Sequence, residues 1–366
     1  MFKNKIFFLT FSIFLSINSI DAQVRRYSND YLNIGISAKN MALGNSVVAN
    51  VNDYSSAYYN PAGLALLSSK YTGSIMHSEY YSGIAKYDFA GFSYKYDDSL
   101  GFAVSFIRLG IDDIQNTLFL FDQNGQVNYD NIELFSVADY ATLLSFGRES
   151  RIKRLYYGGT VKLIFRSEGK FAKAFGFGLD AGVQYFVGKY KIGANLLNAT
   201  STFTAWFFKL SDEMIQVFED TGNEIPKNSI ELTMPILNSG ISRTFKISDK
   251  TSLLSEFDLN FTFDGKRNAL VSFNPVSFYP QIGFEFNYNK IVFVRAGVNN
   301  FQLIPDFAAN ADTSGNYFRD NRFEFVPSVG LGFVYKKLHI DYALTNFGNI
   351  GSGLYSHIFS VSYKFD

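Results

Sequence analysis

Segments of about ten residues that alternate apolar and polar side chains recur along most of this chain, and no other feature restricts its fold as much. In the last of them Phe359, Val361, Tyr363 and Phe365 share one face while Ser360, Ser362 and Lys364 share the other. Phe257, Leu259 and Phe261 alternate with Glu256, Asp258, Asn260 and Thr262. Phe175, Phe177, Leu179, Val183 and Tyr185 alternate with Gly176, Gly178, Asp180, Gly182 and Gln184. A period of two makes a strand with two unlike faces. The apolar face is also aromatic: the 366 residues include 40 Phe and 24 Tyr but one Trp, a bias that suits strands and membrane interfaces.

The pattern predicts about fourteen strands, near 70–80, 86–96, 99–109, 135–147, 153–166, 175–187, 189–197, 231–246, 250–264, 278–288, 290–300, 325–335, 338–346 and 355–365. Connections after the even strands are tiny, among them Asp97-Asp98, Gly188, Asn289 and Lys336-Lys337; those after the odd strands are mostly long, at 110–134, 198–230, 265–277 and 301–324. Short turns at one end, long loops at the other and an even count mark an antiparallel transmembrane β-barrel. No stretch after residue 23 has the roughly 18 uncharged apolar residues of a spanning helix. An exported chain of this kind that crosses lipid therefore does so as a closed barrel. The expected location is the outer membrane of a Gram-negative bacterium, with the long loops extracellular and both termini periplasmic.

The first 22 residues read as a secretory signal peptide. Lys3 and Lys5 precede an apolar run from Ile6 to Ile17, and Ser19 to Ala22 forms the cleavage region, so the mature chain begins at Gln23. Residues 23–69 lack the alternation and are rich in small residues. About fourteen strands enclose a lumen too wide for wall side chains to fill, which leaves room for residues 23–69 as an N-terminal hatch ahead of a barrel at 70–366.

Chemistry is sparse. Net charge is zero, so no nucleic-acid partner is implied. With no Cys, disulfides and thiolate metal sites are excluded. The three His, at 77, 339 and 357, lie far apart, and the spacing of His339 to Asp341 is strand periodicity rather than a catalytic arrangement. Asp312 to Asn316 lacks the closing Glu of a calcium loop. Neither an enzyme, a cofactor nor a metal site is predicted. Lys162, Asp180, Glu256, Asp258, Glu285 and Asp341 fall on the inner face.

One segment carries a resemblance. Ser37-Ala38, Met41-Ala42-Leu43-Gly44, Asn52-Asp53 and Asn60-Pro61-Ala62-Gly63-Leu64 resemble the N-terminal hatch of the FadL-type barrel superfamily, and within it the PorV branch, outer-membrane proteins of the type IX secretion system. The resemblance implies a barrel with an N-terminal hatch. For the PorV branch it implies a component of type IX protein secretion that binds the translocon or secreted cargo and passes it to surface-attachment proteins.

Two predicted outer loops are apolar: Trp206, Phe207 and Phe208 in one, Leu303 and Ile304 in the other. Apolar side chains facing water mark a partner surface or a ligand mouth. Two functions follow. The first is secretion, with these loops holding a protein partner; a charged, plugged lumen favours it over a greasy conduit. The alternative is a FadL-like transporter of hydrophobic small molecules.

Overall fold

Each alternating segment becomes a strand whose apolar residues point outward. The computed structural model describes residues 28–80, 83–121, 125–306, 320–346 and 355–365; the segment expected to be a signal peptide lies outside them. The strands are β1 (Tyr71–Tyr80), β2 (Ala85–Lys95), β3 (Leu100–Asn116), β4 (Glu133–Glu149), β5 (Leu155–Glu168), β6 (Ala172–Val187), β7 (Tyr190–Leu197), β8 (Thr202–Phe208), β9 (Ser229–Thr233), β10 (Ile236–Lys246), β11 (Thr251–Thr262), β12 (Val271–Ser272), β13 (Ser277–Tyr288), β14 (Val292–Asp306), β15 (Asp320–Tyr335), β16 (Leu338–Thr345) and β17 (Ser356–Phe365). On β17, Ser356, Ile358, Ser360 and Ser362 are buried inside, while Phe359, Tyr363 and Phe365 are exposed outside.

Neighbours pair antiparallel in chain order, and β17 closes onto β1 from Tyr71↔Phe365 to Glu79↔His357. The result is a closed fourteen-stranded antiparallel barrel. β7 and β8 are two stretches of one wall strand: β7 pairs with β6 up to Ala181↔Leu196, and β8 resumes at Phe177↔Phe203. The jog between them is pinned from inside. Asp180 accepts from the Asn198 N–H at 2.7 Å and pairs with Lys162 at 2.7 Å. β9 and β10 form the next wall strand, interrupted at 234–235, and β12 is a two-residue piece of a loop.

Several strands run further than the alternation shows. β3 reaches Asn116, β8 takes in 202–208 and β14 reaches Asp306, so three connections shrink, to 117–132, 209–228 and 307–319, while the one at 263–276 keeps about its expected length. The expected aromatic loops are therefore corrected: Trp206, Phe207 and Phe208 lie in β8, and Leu303 and Ile304 in β14, paired with Phe323 and Arg322. Ladder hydrogen bonds with β6 and β15 satisfy their backbone groups, which a water-facing loop would leave to solvent.

Residues 28–69 fill the lumen as a plug of short turns. Ala38–Ala42 forms helix α1 and Ser56–Tyr59 helix α2; Asp30–Asn33 and Pro61–Leu66 are 3-10 turns. The core sits between plug and wall. Ile36, Met41, Leu43, Val51, Tyr54 and Tyr59 pack with Met76, Tyr87, Phe89, Ile107, Leu143, Ile164 and Ile358 of the wall. These large inward residues cluster on β1–β5 and β17, and break the rule of a small, polar inner face. Opposite them the contact is polar. Glu256 and Asp258 of β11 accept from the N–H groups of Ala49 (2.7 Å) and Val48 (3.1 Å), and Gln184 donates to the Val51 carbonyl at 2.9 Å.

Candidate functional site: a vestibule above a docked plug

Asn60 heads the Asn-Pro-Ala turn because its conformation and its side chain both serve it. Its backbone is extended, its Oδ1 accepts from the Ala62 N–H at 3.2 Å, and Pro61 occupies the first helical position, where a missing N–H costs nothing. The Asn60 Nδ2 donates to the Val48 carbonyl at 2.8 Å. The wall is shaped to this turn. Gly101, Gly147, Gly158 and Gly182 stand in register across β3–β6. A Cβ on Gly147 would lie 2.3 Å from the Pro61 carbonyl oxygen, and one on Gly182 2.2 Å from Asn60 Oδ1, closer than atoms approach. Asn60, Pro61, Ala62, Gly63 and Leu64 are all buried. The segment that carried the resemblance thus faces the wall and offers nothing to a partner at the surface.

Above the plug, at the long-loop end, opens a vestibule of about 1240 Å³. Tyr31, Leu109, Trp206, Phe208, Ile225 and Ile230 give it an apolar side; Asp30, Asp139, Glu168, Glu219, Glu224 and Glu231 give it an acidic one. Arg166 divides the two. Its guanidinium grips Asp139 at 2.6 and 3.1 Å, lies 3.7 Å from Glu231 and stacks 4.9 Å from the Trp206 ring. Trp206 and Phe208 point into the barrel, Trp206 being 5% exposed, whereas Phe207 is 53% exposed on the outer wall. Successive side chains of a strand face opposite ways, so the expected cluster of three aromatics is split between two faces.

The first residues of the plug form the vestibule floor. Ser28 donates to Glu231 at 2.8 Å, Asn29 donates to Thr204 and Thr233 at 2.9 Å each, and the Tyr31 hydroxyl donates to the Tyr140 carbonyl at 3.0 Å. Burial, reinforced by Asp139, pushes the Tyr31 phenol up, so it stays a neutral donor. Sequence reasoning missed Tyr31, Asp139, Arg166 and Glu231, because only the closed barrel brings them together. The inward parity of Arg166 on its strand was the one signal available.

A second lumen cavity of about 410 Å³ lies across the Asp30–Asn33 turn. Tyr279, Gln281, Asn299 and Asn300 line it where the wall itself parts. β13 and β14 pair from Tyr288↔Val292 to Ile282↔Val298 and then separate. The loop between β11 and β13 covers the division from the far end: β12 pairs with Phe278 and Ser277, and the Leu270 N–H donates to the Phe301 carbonyl at 3.2 Å.

At the short-turn end of the plug, its Lys39 and Asp53 pair at 2.8 Å, and Arg295 of the wall sits between Glu285 and Asp341 at 2.7 Å each. His339 lines a small cavity there, while His77 and His357 lie on the outer wall and are about half exposed or more. The three do not converge. Among the described residues, no group of three His, Asp or Glu is arranged to hold a metal ion.

A closed barrel with a buried plug and a vestibule at one end defines the class, a plugged membrane barrel. Solved structures share this fold. The chain is similar to the CymD monoaromatic hydrocarbon channel (TM-score 0.53, 11% identity, covering 91% of this chain and 98% of that one). It is similar to the toluene transporter TbuX of Ralstonia pickettii (0.54, 12%, 91% and 99%) and to the toluene transporter TodX of Pseudomonas putida (0.53, 12%, 90% and 98%). At such identity the likeness is one of fold. The fold is the one expected from the hatch segment's resemblance, a barrel with an N-terminal plug, and the PorV branch gains no support. No family model and no curated protein matches the chain.

Proposed function

We propose that this protein is an outer-membrane conduit for hydrophobic small molecules, with the long loops outside the cell and both termini in the periplasm. This alternative now stands ahead of a part in type IX secretion. Secretion rested on a hatch segment that is buried and on aromatic loops that are strands.

The observation that carries the proposal is the path that the barrel leaves open. The vestibule receives a ligand on the apolar side formed by Tyr31, Trp206 and Phe208. The way straight down is closed by the plug, whose backbone is hydrogen bonded to β6, β7, β11 and β17. The smaller cavity instead meets the wall where β13 and β14 part, so the exit is sideways, past the loop held by Leu270 and Phe301. The three channels of similar fold carry small aromatic molecules by their descriptions, and the aromatic lining fits a ligand of that kind.

Uptake tests this directly. Vesicles containing the barrel should accumulate a radiolabelled monoaromatic such as toluene several-fold faster than empty vesicles, with no matching rise in ion conductance. Equal uptake with and without the protein would sink the proposal.

A further inference from the structure

The smaller cavity, on the sideways path, has a different chemistry from the vestibule. Six Asn and two Gln line it together with Ser and Thr, and Arg267 is the one charged residue among the described residues of its wall. Arg267 grips Asp264 through both carboxylate oxygens, at 2.9 Å each, so its charge is already balanced. The chamber of about 410 Å³ is therefore polar but nearly neutral, and its size suits a small molecule.

Two groups of side chains set that polarity. Ser328 of β15, Thr345 of β16 and Ser356 of β17 stand side by side through the register pairs Ser328↔Thr345 and Thr345↔Ser356, and all three are buried. Gln281 of β13 and Asn299 of β14 flank the place where the wall parts: the ladder ends at Ile282↔Val298, and these two are the next residues along it. Asn260 of β11 adds a third amide, whose Oδ1 is buried without a hydrogen-bond partner. Among the described residues, the side chains of Gln281, Asn299, Ser328, Thr345 and Ser356 meet no hydrogen-bond partner either. Polar groups of this kind stay inexpensive only if what enters the chamber can bond to them.

A bare hydrocarbon brings no donor or acceptor and displaces water from every one of them. A carboxylate or an ammonium group finds no unbalanced charge there to receive it. A neutral hydroxyl both donates and accepts, and so matches amides and hydroxyls alike. Resting on the conduit reading above, we propose that the substrates are hydroxylated aromatics, rings that carry a neutral phenolic or alcoholic hydroxyl. The vestibule takes the ring against Tyr31, Trp206 and Phe208. In the chamber the hydroxyl bonds to the Ser328, Thr345 and Ser356 row and then to Gln281 and Asn299, the amides at the exit. The chamber is thus a filter behind the vestibule, because a site built to bond a substrate hydroxyl disfavours the analogue that lacks it.

Vesicles containing the full-length barrel, supplied at pH 7 with radiolabelled toluene, p-cresol or p-toluate, read the filter. The three share a methylated ring and differ in carrying hydrogen, hydroxyl or carboxylate opposite the methyl group. After subtraction of the rate into empty vesicles, p-cresol should enter at least about ten-fold faster than either of the others. Thr345→Val removes one hydroxyl at nearly constant volume and suits a strand, so the barrel keeps its fold, and p-cresol should slow about three-fold. Gln281→Leu/Asn299→Leu should slow p-cresol at least about five-fold and speed toluene, closing the gap between them to under about two-fold. Toluene entering as fast as p-cresol, which is the result if the chamber holds only water, would overturn this inference and leave the conduit standing. So would p-toluate entering fastest, or p-cresol rates unmoved in both variants. Uptake of none of the three above empty vesicles would overturn the conduit and this inference together.

Discussion

Asn60 Nδ2 donates to the carbonyl of Val183, a β6 residue, at 3.0 Å, so the residue that begins the Asn-Pro-Ala turn is bonded to the barrel wall as well as to the plug. The same side chain meets Gly182, where any Cβ would strike Asn60 Oδ1. Asn60→Leu removes these bonds inside a buried interface and leaves carbonyls unsatisfied, at a cost of about 3 kcal/mol. Gly182→Val forces the turn off the wall by volume. Both variants should still assemble, shown by the gel-mobility change between unboiled and boiled samples, but should conduct ions in planar bilayers. Two closed variants would show that the plug is not held where the geometry puts it.

Acid should open the same seal from below. Burial alone would raise the Asp53 carboxyl, but the Lys39 ammonium and the Ser55 hydrogen bonds outweigh it and hold the group at about 2. A folded pKa below the unfolded one stabilises above about pH 4, and that contribution is lost as the pH falls through the folded value. Burial lowers and Asp53 with Glu285 more than restores the Lys39 amine, which ends above its ordinary value; its contribution is full below about pH 10 and fades only above that. Conductance should therefore stay low across the neutral range and rise between about pH 4 and 2. Asp53→Asn should leak at neutral pH and lose the acid-dependent step. A step of unchanged size in that variant would assign it to another group.

The two faces of β8 separate ligand binding from membrane packing. Trp206→Ala removes an inward ring stacked on Arg166 and should weaken binding of a fluorescent aromatic ligand about ten-fold, or roughly 1–2 kcal/mol. Phe207→Ala removes a ring from the outer wall and should change that affinity less than about two-fold. Titration of the purified barrel distinguishes the two, and a reversed order would contradict the vestibule as the binding site.

Locking the wall tests the sideways exit. The chain has no cysteine, so the pair Leu270→Cys/Phe301→Cys introduces one disulfide across the loop that covers the β13–β14 division. Oxidised protein should bind aromatic ligand normally yet transport it at least five-fold more slowly, and reduction should restore transport. Full transport by the oxidised form would place the exit elsewhere.

What the chain determined by itself was the wall. A period of two fixes which side chains face lipid and which face the lumen, whatever the register, because each strand alternates independently of its neighbours. Phe175, Phe257 and Phe359 could be assigned outward, and Asp180, Glu256 and Asp341 inward, from spacing alone. The ends of strands were less legible. Trp206 and Leu303 read as loop because the seventh strand jogs at Asn198 and the run after Asn300 shifts register, and both interruptions hide a continuing ladder. Only closure of the barrel decided the rest. It brought Tyr31 beside Arg166 and Trp206, set four glycines of separate strands in one line for the Asn60 turn, and turned Tyr87, Phe89 and Ile107 from exceptions in the alternation into the core against the plug. Those relationships join residues far apart in the chain. Which of them meet depends on the stagger at which β17 returns to β1, a quantity no local pattern contains.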